Sequence, residues 1–292
     1  MRILVTGANG QLGSEFRALA PNHSAEFIFC DIDEMDLSQQ SSIEQFLANT
    51  PSDLIIHCGA YTQVDGAEDQ KELAFAINAN APAVIARHCA AMGCRLIQVS
   101  TDYVFDGTGN VPISEESMPH PQSVYGASKW EGEKQIMSIL SEAYIIRTSW
   151  VYSAYGKNFV KTMLRLGQER DELNVVVDQV GTPTYAANLA AAILKIVDQW
   201  PGNDRPGVYH YSNWGVLSWY DFAKTIFDVA GVTCRVNPIP SSSFPVKAQR
   251  PAFSVLDKTK IASTFHLDIP YWRDSLERCL GEIRRGNLKS EI

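Results

Sequence analysis

The first half of the chain alternates short unbroken apolar runs with longer stretches whose apolar side chains recur every third or fourth position. The runs fall at residues 2–6, 26–31, 53–58, 95–99 and 144–149. The stretches between them predict helices over 11–19, 41–48 (apolar at Ile43, Phe46 and Leu47), 70–92 and 125–141. Continuous rather than alternating apolar strands mark a parallel sheet covered on both faces. The expected fold is therefore α/β, a Rossmann-like doubly wound parallel sheet with ligands at the carboxyl ends of its strands. Residues 100–105 are expected to form a loop there.

After Trp150 the pattern changes. Short strands near 174–177 and 208–211 alternate with helices near 158–168, 186–199 and 218–230, and a proline-rich stretch follows at 238–251. A closing amphipathic helix over 271–285 carries Leu276, Cys279, Leu280 and Ile283 as its apolar stripe. Residues 1–150 are expected to form a dinucleotide-binding domain, completed by later segments. Residues 151–292 then form mainly a smaller mixed α/β substrate-binding domain, with the cleft between the two.

Composition narrows the class. Of 292 residues, 45% are hydrophobic and 20% charged, as in ordinary soluble domains, and the net charge of -8 argues against nucleic-acid or anionic-membrane partners. The six cysteines show no C-x-x-C spacing, which points to free thiols and a reducing compartment. No apolar run approaches the roughly 20 residues of a membrane span. The expectation is a soluble cytoplasmic protein.

Three groups of residues carry chemistry. Gly7-x-x-Gly10-x-x-Gly13 follows a strand and opens a helix, where glycines allow a tight turn and close backbone approach to a pyrophosphate. Asp31, ending the second strand, is placed to bind the adenosine ribose, with Asp36 and Leu37 beside the adenine. Gly59-Ala60-Tyr61-Thr62 ends the third strand with small residues that leave room for a cofactor. Ser100-Thr101 ends the fourth strand, where a hydroxyl can polarise a substrate carbonyl. Tyr125 and Lys129, at i and i+4, share a helix face. The ammonium is expected to lower the phenol's pKa and so ready it for proton exchange.

Other residues read as structural. His57 sits in an apolar strand, the six histidines lack metal-ligand spacing, and no catalytic metal is inferred. Trp214, Trp219 and Tyr220 read as core of the second domain, and Arg250 as an exposed side chain or a substrate-phosphate ligand.

These motifs make the chain similar to the extended short-chain dehydrogenase/reductases. More narrowly, it resembles the dTDP-4-dehydrorhamnose reductases over essentially its full length. The closer likeness rests on Ser100-Thr-Asp-Tyr-Val-Phe105, Arg147-Thr-Ser-Trp-Val-Tyr152 and Asp178-Gln-Val-Gly-Thr-Pro183, with Ala60-Tyr-Thr-Gln-Val-Asp65, Asn158-Phe-Val-Lys-Thr-Met163 and Ser218-Trp-Tyr-Asp-Phe222 in support. The resemblance implies that Gly10, Gln11, Leu12, Asp31, Asp36, Leu37, Ala60, Thr62 and Val99 line the cofactor site. Thr101, Asp102 and Trp150 would contact a dTDP-sugar, flanked by Val64 and Tyr103. Tyr125 and Lys129 would contact the cofactor and act in catalysis. The implied reaction is NADH- or NADPH-dependent reduction of a 4-keto sugar nucleotide. Asp31 is expected to favour NADH, although Arg17 or Lys71 could approach a 2′-phosphate.

The resemblance also implies, in some members, a Mg²⁺-linked dimer held by three carboxylates. Here Glu15 stands at the first position, but Ala187 and Ala191 stand at the other two. A monomer or a metal-independent homodimer is expected instead. The rival readings are a noncatalytic regulatory subunit like that of S-adenosylmethionine synthetase, and another nucleotide-sugar epimerase or dehydratase. The complete Thr101, Tyr125 and Lys129 set favours the reductase over the first. Tyr103, standing after Asp102 where a dehydratase would need an acid, disfavours the second.

Overall fold

A computed structural model describes residues 1–200 and 202–290. β1 (Arg2–Thr6) turns through glycines into α1 (Gln11–Leu19), and β2 (Glu26–Cys30) with α2 (Gln40–Ala48) repeats the unit. After β3 (Leu54–His57) come α3 (Val64–Asp69), α4 (Lys71–Phe75), a π-helical stretch (Ala76–Asn80) and α5 (Ala81–Met92). β4 (Arg95–Thr101), a 3₁₀ turn (Asp102–Val104), α6 (Val124–Ile139) and β5 (Tyr144–Thr148) complete the first half. The second half runs through β6 (Val151–Tyr152), α7 (Phe159–Glu169), β7 (Glu172–Val176), β8 (Val180–Gly181), β9 (Thr184–Tyr185) and α8 (Ala186–Gln199). It continues with β10 (Gly207–His210), β11 (Leu217–Ser218), α9 (Trp219–Ala230), β12 (Arg235–Ile239), α10 (Thr259–Thr264) and α11 (Trp272–Ser290).

Six strands form one parallel sheet in the order β10-β5-β4-β3-β1-β2. The order in which strands are added reverses between β1 and β3, which opens a crevice at their carboxyl ends. The reason for continuous apolar strands is visible in the packing. Ile3, Val5, Ile56, Ile97 and Ile146 face one core with α1 and α8, while Leu4, Ile55, Leu96 and Ile145 face another with α2 and α5. Both faces are buried, so consecutive positions along each strand are mostly apolar. Each such aliphatic side chain contributes about 1.5–3 kcal/mol by leaving water. A third core joins β7, α7, α9 and α11, with Phe222, Ile226, Leu276 and Cys279 fully enclosed.

The sheet's sixth strand, β10, comes from the second half, as do α8 and the Ile261–Phe265–Ile269 cluster that packs on it. The second half thus contributes to two cores, the one it shares with the sheet and the separate one around α9.

Within the first half, the structure differs from the sequence expectations in three places. The helix expected over 70–92 is broken by the π-helical stretch. Pro82 has no amide to give to the carbonyl of Asn78, so the regular ladder cannot run through this turn. α3 was not anticipated, because its sequence Val-Asp-Gly-Ala-Glu-Asp has no apolar period. The loop expected over 100–105 is in fact the end of β4 followed by a 3₁₀ turn. There the Thr101 hydroxyl accepts the Tyr103 amide (3.2 Å), and Val104 and Phe105 are buried against Leu256.

Candidate active site

A cavity of about 860 Å³ opens at the reversal point of the sheet. Its floor is the glycine turn after β1. Gly7 lies at φ +65°, which favours glycine, and a side-chain carbon there would sit 2.6 Å from the Gly59 amide nitrogen. The turns after β1 and β3 therefore touch through bare backbone. Gly10 is the N-cap of α1, and its lack of a side chain leaves the first-turn amides without a cap bond. Those amides, from Gln11 to Gly13, belong to residues lining the cavity. Free helix N-terminal amides beside bare backbone suit a pyrophosphate, so the residues present fit a dinucleotide.

Asp31 stands at the end of β2 on the same cavity. Its Oδ2 accepts the Asn9 amide (2.7 Å) and its Oδ1 the Ile32 amide (2.8 Å), so the carboxylate also ties down the glycine turn. Asp36 closes a local turn by accepting the Ser38 amide (2.8 Å), and Leu37 packs against Gly59. Arg17 is committed elsewhere, lying 4.5 Å over the Phe29 ring.

Thr101, Tyr125 and Lys129 meet in this cavity from β4 and α6. Ser123 caps α6 by accepting the Gly126 amide (3.1 Å), and Glu68 of α3 accepts the Val124 amide (2.9 Å), which fixes where Tyr125 begins its turn. The Lys129 ammonium donates to the Val99 carbonyl (2.8 Å). Burial pulls its pKa down to about 8, against the opposing pull of Glu133.

The expected effect on the phenol is reversed. Burial raises the Tyr125 pKa above its ordinary value, Asp102 and Tyr103 raise it further, and only the hydrogen bond to Thr101 opposes them. Lys129 turns its charge to the Val99 carbonyl and not to the phenol. Tyr125 is therefore a protonated acid at neutral pH. Asp102, 2% exposed, accepts the Thr101 hydroxyl (3.0 Å), and burial lifts its carboxyl to about 6.

Sequence reasoning missed what stands behind these residues. Tyr125, Lys129 and Glu133 follow one another at every fourth position of α6, a spacing that could have flagged the third. Glu133 accepts the Ser100 hydroxyl (2.5 Å) and two guanidinium nitrogens of Arg147, at 3.1 Å and 2.6 Å. Ser100 and Arg147 are register partners on β4 and β5. The ion pair is almost wholly sealed, with side chains 3% and 1% exposed. His210 donates from Nδ1 to the Ile113 carbonyl (3.0 Å) and offers Nε2 to Arg147 (3.4 Å). Burial and Arg147 hold it neutral, with its pKa lowered to about 3.

Asn78 was also missed. It bonds both the amide (2.8 Å) and the carbonyl (3.0 Å) of Tyr61 and the Ser128 hydroxyl (3.0 Å), tying the loop after β3 to α6. Further cavity residues not anticipated include Asn9, Met35, Ile77, Thr148, Lys157 and Asn158.

Gly7, Gly10, Gln11, Leu12, Gly13, Asp31, Asp36, Leu37, Ala60, Thr62 and Val99 all border the cavity, as do Val64, Asp102, Tyr103 and Trp150. Two expected residues do not. Tyr61 is held by its backbone to Asn78, and its hydroxyl is buried near Gly66. Arg250 donates to Asp65 (2.8 Å) and to the Tyr103 hydroxyl (3.3 Å), so its charge is paired outside the cavity wall.

Among the remaining residues, His57 is buried, with Nδ1 2.6 Å from the Thr6 hydroxyl. Trp219 and Tyr220 pack partly on the core around α9, but Trp214 does not. It is 39% exposed beneath the Lys258 ammonium, because Trp272 fills the core position beside Gly215. Glu15 is buried and accepts the Ser153 hydroxyl (2.7 Å), and burial raises its carboxyl pKa. Among the described residues no three histidine, cysteine or carboxylate side chains gather as a metal site.

A glycine cradle at the reversal point of a parallel sheet, with threonine, tyrosine and lysine meeting beside it, defines an extended short-chain dehydrogenase/reductase. Within that class the chain belongs to the RmlD substrate binding domain family, whose model matches residues 1–285. It is similar to the dTDP-4-dehydrorhamnose reductase of Sinorhizobium fredii, 40% identical over 285 residues that cover 95% of this chain and 96% of that protein. Among solved structures, it resembles a dTDP-4-dehydrorhamnose reductase from Clostridium acetobutylicum with a TM-score of 0.92 and 39% identity, covering 97% of this chain and 100% of that one. The Bacillus anthracis reductase, solved in complex with NADP, also matches with a TM-score of 0.92 at 39% identity, covering 96% and 99%.

Proposed function

We propose that this protein reduces the 4-keto group of dTDP-4-dehydro-L-rhamnose to give dTDP-L-rhamnose, the last step of dTDP-rhamnose biosynthesis, using NADH or NADPH. The observation that carries the proposal is the meeting of Thr101, Tyr125 and Lys129 in one cavity with a glycine cradle. The reductases named above, matched over nearly their whole length, supply the substrate.

A reduced nicotinamide dinucleotide, its pyrophosphate held at the glycine turn after β1, would supply the hydride. The Thr101 hydroxyl, turning its proton from Asp102, and the Tyr125 phenol hydrogen-bond the sugar's carbonyl oxygen, polarising it for attack. Tyr125, protonated at neutral pH for the reasons above, gives its proton to the oxygen as the alcohol forms. The Lys129 ammonium, steadied by the Val99 carbonyl, would hold the cofactor ribose beside the phenol. Asp102, Tyr103, Val64 and Trp150 form the sugar-nucleotide side. The reaction fits a cytoplasmic enzyme with no nucleic-acid or membrane partner. The net charge of -8 is in keeping with that, and no helix among the described residues is long and apolar enough to cross a membrane.

The deciding assay supplies the dTDP-4-keto-6-deoxyglucose intermediate with its epimerase and adds this protein last. Loss of reduced-nicotinamide absorbance and appearance of dTDP-L-rhamnose are expected, and their absence sinks the proposal. A regulatory subunit would give no turnover in this assay.

Turnover is also expected to survive exhaustive EDTA treatment. Ala187 and Ala191 offer no oxygen ligand, and Glu15 is already bonded to Ser153. The protein is then a monomer or a metal-independent homodimer, and its sedimenting mass should be the same with and without Mg²⁺. A loss of activity restored by Mg²⁺ contradicts this.

Asp31→Ala is expected to shift the kcat/KM ratio towards NADPH, because it removes a negative charge from the ribose end of the cavity. It also frees the Asn9 amide, so affinity for both cofactors should fall. Kinetics with each cofactor test this, and a shift towards NADH would show that Asp31 does not face the ribose.

A further inference from the structure

Trp150 occupies a backbone conformation that its side chain disfavours, with φ at +49°. Bulky residues rarely adopt it, and such strain persists only where the surroundings over-determine it. Here the pinning is explicit. On one side the Ser149 hydroxyl donates to the Thr182 carbonyl (2.7 Å), and on the other the Trp150 carbonyl accepts the Thr184 amide (3.2 Å). The chain must kink at Trp150 to pass from β5 into β6, and the kink delivers its indole to the cavity wall.

The indole is held as firmly as the backbone. Trp219 lies over it face to face, with ring centroids 3.5 Å apart and planes 8° from parallel. Trp219 is the first residue of α9. A reciprocal cap fixes that helix start, with Asp221 accepting the Ser218 amide (3.0 Å) and Ser218 the Asp221 amide (3.1 Å). Phe159 supports Trp219 with its ring centroid at 4.6 Å.

Gly181 adds a second constraint. Its φ is not in the left-handed region, so an alanine could adopt its backbone. Space is what an alanine lacks. A side-chain carbon there would lie 2.7 Å from Cε2 and 2.8 Å from Cζ2 of Trp150, and 2.7 Å from the Ser254 hydroxyl. Ser254 is the residue whose hydroxyl lowers the pKa of Asp102. Gly181 therefore stands between the Trp150 indole and the serine that bonds Asp102. A serine hydroxyl can rotate aside, but an indole stacked on Trp219 cannot.

We propose that Trp219 and Gly181 are positioning residues that hold the Trp150 indole as a fixed wall of the sugar-nucleotide half of the cavity. The proposal rests on the assignment of Trp150 to that half. It gives the Asp178-Gln-Val-Gly-Thr-Pro183 block a physical role, since its glycine is the space in which the indole sits. Neither residue borders the cavity itself, so their influence passes through Trp150.

The test compares Trp219→Ala, Trp219→Phe, Gly181→Ala and Trp150→Phe in the full chain. It measures kcat and KM for dTDP-4-dehydro-L-rhamnose, the Kd for NADPH by fluorescence titration, and the folded fraction in urea. Trp219→Ala and Gly181→Ala are expected to raise the sugar-nucleotide KM about tenfold while kcat changes less than about threefold, the pattern of lost uniform binding. NADPH affinity should not move, and Trp219→Phe should restore most of the loss by keeping an aromatic face. If Trp219→Ala does not fold, Gly181→Ala and Trp219→Phe still decide the matter. An unchanged KM in folded Trp219→Ala or in Gly181→Ala overturns the proposal, as does a parallel loss of NADPH affinity, which marks a general structural role. Trp150→Phe with a wild-type KM instead removes the assignment of Trp150, and the proposal falls for that separate reason.

Discussion

Tyr125→Phe is expected to bind NADPH as the unaltered protein does but to turn over about 10²-fold more slowly or worse, the usual scale for losing a positioned proton donor. The substitution removes one oxygen and leaves the ring, so the contact with Tyr103 (centroids 5.5 Å apart) survives. What disappears is a phenol held protonated by burial beside Asp102. Thr101 remains to polarise the carbonyl, but the proton carried by the positioned phenol is gone. Steady-state kinetics together with a cofactor titration separate the two effects. Wild-type turnover in Tyr125→Phe would remove the central claim of the mechanism.

The largest loss of stability is expected at Glu133. Glu133→Gln keeps the shape of the side chain but leaves the Arg147 guanidinium buried without its anion. Breaking a buried pair in this way costs about 3–5 kcal/mol. His210 cannot compensate, because it is neutral and presents a lone pair to Arg147. Removing both charges together, in Glu133→Gln with Arg147→Met, should cost much less, since methionine fills the space without a charge to solvate. Urea denaturation of the single and double variants reads the difference directly. A single variant as stable as the parent would show that the pair is not sealed from water. Activity should also fall in both, because Glu133 is the carboxylate that opposes the loss of charge on Lys129.

Much of the site is legible in the sequence because its parts are local. The glycine turn, the acid ending β2 and the i, i+4 pair on α6 each depend on a few neighbouring residues. Backbone rules translate such short patterns directly into geometry. The residues that escape a reading of the chain act across distance. Asn78 matters because Pro82 breaks its helix and Tyr61 and Ser128 converge on it from two other elements. Arg147 reads as an intruder in the apolar run Tyr-Ile-Ile-Arg-Thr until β4 and β5 pair and bring Ser100 beside it. Arg250 shows the converse. Its proline neighbour and charge suggest a phosphate ligand, yet Asp65, far away in sequence, claims it.

By itself, the sequence determined the doubly wound sheet, the glycine cradle and the placing of Tyr125 and Lys129 on one helix face. Period, glycine spacing and helix phase are properties of consecutive residues and need no partner to be read. The tertiary structure alone decided the charge states and the supporting shell. Burial raises the Tyr125 phenol where an adjacent lysine was expected to lower it, since what counts is where the Lys129 ammonium points and how much water remains. In the same way, Trp150 is a wall only because β8, α9 and the kink after β5 enclose one indole from separate directions. Desolvation and packing are sums over everything nearby in space, and the chain's order does not state which residues those are.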